Sequence, residues 1–180
     1  MKLSEIGSLV SRDSITILGL GILSLVVALF INQLRAAPLS LVYQSKKVRL
    51  LGSVEQLSVT GGPTNESSEK IISLDRMKRI VEESEALVID TRPALFYELG
   101  HIPEAISLPR DNFKAGYQNI RTQLEHNKSQ RIVVYCSSLS CEDSGLVAEA
   151  LNKLGYTNVW IFKQGWSAWQ KANLTESRSQ

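Results

Sequence analysis

Two uninterrupted apolar runs of four residues, at 86–89 (Ala-Leu-Val-Ile) and 132–135 (Ile-Val-Val-Tyr), constrain the fold most strongly. They are too short for core helices, and they lack the alternation of a strand with one wet face. They therefore read as strands buried on both faces, as in a parallel sheet covered by helices. Further strands are expected at 71–72, 105–108 and 158–162. Helical stretches fall between them. Leu74, Met77, Ile80 and Val81 share one face behind the N-cap residue Ser73. A brief helix is expected at 94–99 and a longer one at 113–124. Leu146, Val147, Ala150, Leu151 and Leu154 form a stripe that stops at Gly155, and a last helix covers 166–171. The order predicts an open α/β domain with a mainly parallel five-stranded sheet and helices on both faces.

Cys136 follows the second buried run directly, and residues 137–140 (Ser-Ser-Leu-Ser) lead from it into a helix expected to begin near Ser144. Chemistry gathers at the carboxyl ends of strands in open α/β sheets. Backbone N–H groups of such a loop, with the positive end of the next helix, can lower a thiol's pKa without a metal. Cys136 thus reads as a nucleophile, with a buried core thiol as the alternative.

The 180 residues carry a formal charge of +2 with scattered cations, which argues against a nucleic-acid surface. Cys136 and Cys141 are the two cysteines of the chain, so there is no disulfide framework, although they could bond to each other. His101 and His126 are the two histidines, and no spacing of four ligands suggests zinc. Neither a metal nor a cofactor is expected.

Residues 15–31 contain no charge and, at about 1.5 Å per residue, are long enough to cross a bilayer. A cleaved signal peptide competes, with Ala36-Ala37 after the run, but Arg35, Pro38 and the length of the run favour an uncleaved single-pass anchor. The expected organisation is a tail at 1–14, a membrane helix at 15–33, a juxtamembrane segment and linker at 34–68, and the folded domain at 69–176. Within the juxtamembrane part, 45–57 has helical apolar spacing and could lie on the membrane or on the domain, while 60–68 is Gly, Pro and Ser rich. Cations on both sides of the span leave the side of the domain open.

The segments ALVIDTRPALFYELGHIPEAISLP at 86–109, VVYC at 133–136, LNKLGYTNVWIF at 151–162 and QGWSAW at 164–169 together resemble the rhodanese family. That resemblance implies a sulfurtransferase. Cys136 would carry sulfane sulfur as a persulfide between a small sulfur donor and a thiol or protein acceptor. Asp90 and Arg92 read as a structural pair that pins the loops, and His101 as a supporting residue in a turn stiffened by Pro103.

The active-site loop, Ser137, Ser138, Leu139, Ser140, Cys141, Glu142 and Asp143, departs from the family pattern. It is longer, it holds no cation, and it ends in two acids, so thiosulfate is expected to be a poor donor. Glu142 stands where a related phosphatase loop has arginine, which argues against phosphatase activity. Cys141 adds a second thiol. The alternative function is a rhodanese-like binding or redox-sensing module using Cys136 and Cys141 as a reversible pair.

Overall fold

The computed structural model describes residues 3–35, 44–57 and 70–179. The expected linker at 60–68 and the Ala36-Ala37 site lie outside the described residues. The chain forms two units, Met1–Tyr43 and Gln44–Gln180.

Among the described residues the first unit holds one helix, α1 (Leu3–Leu34). Its segment Thr16–Leu34 has a mean hydropathy of 2.3 over its best window, and none of that window is buried. By length and composition it can cross a membrane.

The second unit is built on a parallel sheet of four strands, β1 (Leu87–Asp90), β2 (Ile106–Ser107), β3 (Ile132–Tyr135) and β4 (Val159–Phe162), in the order β2-β1-β3-β4. All three pairings are parallel. Leu87 to Asp90 register with Ile132 to Tyr135, and these in turn with Val159 to Phe162. The sheet is thus four-stranded where five strands were expected. The missing strand survives as a single bridge between Ile71 and Ile161. Its length is limited because Ser73, immediately after Ile72, accepts a bond from the Arg76 N–H and turns the backbone into α3 (Leu74–Glu82).

Alternation along β3 divides the core. Ile132 and Val134 join one apolar cluster with α5 (Phe113–Glu125) and α6 (Asp143–Lys153). Val133 and Tyr135 join the other, with α3 and α7 (Gly165–Lys171). Helices therefore cover both faces, as strands without a polar face require. The short α4 (Ala94–Leu99) follows β1.

The amphipathic segment after the first unit is α2 (Lys46–Glu55), capped by the Ser45 side chain. It packs on the domain. Leu50 and Val54 are 2% and 3% exposed and belong to the α5/α6 cluster, so the folded unit includes a helix that a start at residue 69 leaves out.

Candidate active site

The strand order reverses between β1 and β3, and the carboxyl ends of these two strands frame the site. Thr91, just past β1, donates to the Tyr135 carbonyl from both its N–H, at 3.0 Å, and its hydroxyl, at 2.9 Å. That pair of hydrogen bonds closes the seam directly before Cys136.

Beneath the seam lies a buried polar network. Arg92 Nε and Nη2 reach the Asp90 carboxylate at 3.0 and 2.6 Å, and Nη2 also donates to the Gly100 carbonyl. Tyr135 Oη donates to Asp90 Oδ2 at 2.7 Å and accepts from the Ile102 N–H at 3.2 Å. Burial, together with the neighbouring Asp90 charge, pushes the Tyr135 phenol far above its usual range. Asp90 and Arg92 face each other within the protein and pin the loops after β1. The Arg92 guanidinium also stacks 4.8 Å from the Trp166 ring. His101 stacks on Tyr97 with ring centres 3.8 Å apart, its Nδ1 lies 2.8 Å from the Tyr97 carbonyl oxygen, and its backbone bridges to Ser177. The carbonyl can only accept, so Nδ1 carries the proton.

Cys136 is buried at 3% exposure and is joined to Cys141 by a disulfide. The loop between them turns through a Cys141 N–H to Ser138 carbonyl bond of 3.0 Å, and Ser138 and Ser140 share a hydroxyl contact of 3.1 Å. Ser137 Oγ lies 4.0 Å from Cys136 Sγ. Leu139 and Glu142 point to solvent.

The loop is held from outside by α7. The Trp166 and Ser167 N–H groups donate to the Cys136 and Ser137 carbonyls at 2.8 and 2.9 Å. Gly165 makes this approach possible. Its φ is +64°, and a Cβ there would lie 2.4 Å from the Cys136 carbonyl oxygen. The sequence marks 164–169 only as part of the family resemblance and assigns Gly165 no role, although a glycine where a helix begins is a signal of such close approach.

The two acids that end the loop part company. Asp143, the first residue of α6, turns inward, and its Oδ1 accepts from Arg110 Nε at 3.1 Å and from Lys46 Nζ at 3.4 Å. Arg110 is placed by its own N–H, which donates to the Thr91 carbonyl at 3.2 Å. The loop itself is without a cation, but β2's following turn and α2 each supply one. This removes half of the negative charge from which poor thiosulfate use was expected. No local pattern marks Arg110, 33 residues from its partner.

Cys136 Sγ, Cys141 Sγ and an Asp143 oxygen lie within 4.8 Å of one another. Thiolates and a carboxylate are metal-ligand types, but here the sulfurs are bonded to each other and the carboxylate faces two cations. The arrangement suits thiol–disulfide chemistry better.

Residues 73–172 match the family model described as the rhodanese-like domain. The chain is 31% identical over 108 residues to the uncharacterized protein YibN of Escherichia coli K12, covering 60% of this chain and 72% of that protein. It is 27% identical over 95 residues to a tRNA uridine(34) hydroxylase of Sodalis glossinidius, covering 52% of this chain but 26% of the hydroxylase. Among solved structures, the rhodanese-like domain of the Anabaena Alr3790 protein superposes with a TM-score of 0.52 at 22% identity, covering 62% of this chain and 81% of that one.

Proposed function

Because the chain belongs to the rhodanese-like domain family, we propose that it is a membrane-anchored sulfurtransferase whose sulfur carrier is Cys136, with α1 as the anchor and residues 44–180 as the working domain. The observation that carries this reading is the position of Cys136, buried where the central strand β3 ends at the β1/β3 switch point.

The disulfide is first opened by a thiol reductant. The Cys136 thiolate then attacks the sulfane sulfur of a donor, the donor's S–S bond breaks, and the remainder of the donor leaves with the electron pair. A thiolate acceptor attacks the outer sulfur of the persulfide and restores the Cys136 thiolate. Neither step needs a cofactor.

A second reading is supported by the bond between the cysteines. When Cys141 attacks the inner sulfur of the persulfide, hydrosulfide leaves and the Cys136–Cys141 disulfide forms, so the pair can also act as a reversible thiol switch.

The test is mass spectrometry of the reduced chain after exposure to a polysulfide. One added sulfur is expected on Cys136, a longer-lived adduct in Cys141→Ser, and none in Cys136→Ser. Retention of wild-type sulfur transfer by Cys136→Ser overturns the carrier assignment, and equal hydrosulfide release by wild type and Cys141→Ser overturns the switch.

A further inference from the structure

A cavity of about 120 Å³ lies between α2 and the turn after β2, lined by Arg49, Leu50, Ser53, Arg110 and Asp111. Pockets for drug-sized molecules are several times larger. Its size selects an ion or a single small head group.

Its chemistry selects the sign. Two guanidinium groups and one carboxylate leave one positive charge in excess. The Arg110 side chain is 13% exposed and commits its Nε to Asp143. Its terminal nitrogens have no protein acceptor among the described residues, although a guanidinium offers five donors in a planar fork. The Arg49 side chain has no acidic partner among the described residues either. Arg110 is largely withdrawn from solvent and Arg49 is exposed at the mouth, and the unfilled guanidinium donors of the two favour planar, two-point recognition of oxyanions.

We propose that this cavity is a binding site for a small tetrahedral oxyanion of the phosphate or sulfonate class, held by Arg110 and Arg49. The site is distinct from Cys136 and stands whether or not Cys136 transfers sulfur, but it communicates with the sulfurs. Arg110 bridges the cavity and Asp143, and an Asp143 oxygen lies within 4.8 Å of both sulfurs. An oxyanion on the outer nitrogens divides the guanidinium's pull between two anions. It also adds negative charge near a forming thiolate, where Asp143 already contributes one and Arg110 and Lys46 oppose it. Occupancy therefore slows reactions that need the Cys136 thiolate.

The oxyanion has two sources, a free ion or the head group of an anionic lipid, since α2 begins at Lys46, soon after α1 ends at Leu34. The experiment uses the whole chain, reduced, in neutral detergent micelles. Sodium phosphate is titrated against sodium chloride at matched ionic strength, and the amide resonances of α2 and of residues 110–112 are followed. In a parallel arm, phosphatidylglycerol is added against phosphatidylcholine. Iodoacetamide alkylation of Cys136 is timed in the Cys141→Ser chain.

Saturable shifts with a Kd on the order of 1 mM are expected, weakened about five-fold or more by Arg49→Gln. Alkylation is expected to slow about two-fold at saturation, the size of one partly screened charge. Saturation by phosphate supports the site with a free-ion source, and a response to phosphatidylglycerol alone supports it with a head-group source. No saturable response to either, or a response that is unchanged in both Arg49→Gln and Arg110→Lys, overturns the site. Saturable binding with unchanged alkylation overturns its coupling to the sulfurs.

Discussion

Arg110 and Asp143 are joined by a 3.1 Å bond from guanidinium Nε to carboxylate Oδ1, with both side chains nearly withdrawn from solvent at 13% and 12% exposure. The bond ties the turn after β2 to the first residue of α6, and so fixes the far end of the loop that Cys136 begins.

Removing the cation strands the carboxylate. Arg110→Gln is expected to lower stability by about 2 kcal/mol, the range for losing a hydrogen bond to a charged, largely buried group, with Lys46 offsetting part of the loss. Arg110→Lys should recover some of it. Urea unfolding of the three chains checks this, and equal midpoints for wild type and Arg110→Gln would show that the pair contributes nothing.

Gly165 faces a harder limit. A Cβ at 2.4 Å from a backbone oxygen, on a residue with φ of +64°, cannot be relieved by rotating a side chain. Gly165→Ala is expected to cost at least about 2 kcal/mol in strain and lost loop contacts. It should also slow persulfide formation on Cys136, because the hydrogen bonds from the Trp166 and Ser167 N–H groups to the loop carbonyls are disturbed. Thermal unfolding and donor kinetics on the same preparation test both parts.

A chain that starts at residue 69 lacks α2. Leu50 and Val54 are buried among α5 and α6, and full burial of each such side chain contributes about 1.5–3 kcal/mol. We therefore expect residues 69–180 to be less stable than residues 44–180 by about 3 kcal/mol or more. Matching denaturation curves for the two fragments would mean that α2 is dispensable.

Alkaline pH should unfold the domain. Burial raises the phenol pKa of Tyr135, and of Tyr117 and Tyr156, above the ordinary value. An unfolded chain ionises these groups near pH 10, whereas the folded chain keeps its protons. Folded molecules then bind more protons than unfolded ones, so stability is intact below about pH 10 and falls as pH rises beyond it. Tyr135→Phe should flatten that fall while lowering stability at pH 7 by about 1–3 kcal/mol, since Asp90 and the Ile102 N–H each lose a partner. Denaturation midpoints measured from pH 7 to 11 give the comparison.

Much of the fold was legible because it rests on local physics. The apolar runs at 86–89 and 132–135 lie within one residue of β1 and β3, the Ser73 cap is in place, and Cys136 follows β3 as expected. The fifth strand was over-read because two apolar residues suggested a strand, while the cap beside them limits pairing to Ile71. The site was half legible. Its nucleophile candidate and loop are contiguous, and contiguous features leave a trace in the sequence, but the bond between the cysteines, weighed there as a possibility, is seen in the folded chain.

What the sequence alone determined is therefore what depends on neighbours along the chain: the apolar helix at Thr16–Leu34, the alternation of buried strands and amphipathic helices, and a cysteine at a strand's carboxyl end. Tertiary structure decided the rest. It placed α2 in the core, brought Gly165 against Cys136, and turned Asp143 toward Arg110 and Lys46 while leaving Glu142 in solvent. These outcomes depend on how separate elements dock. A residue's charge or lack of a side chain is visible in isolation, but the energy it contributes is set by the partner that packing brings within a few ångströms.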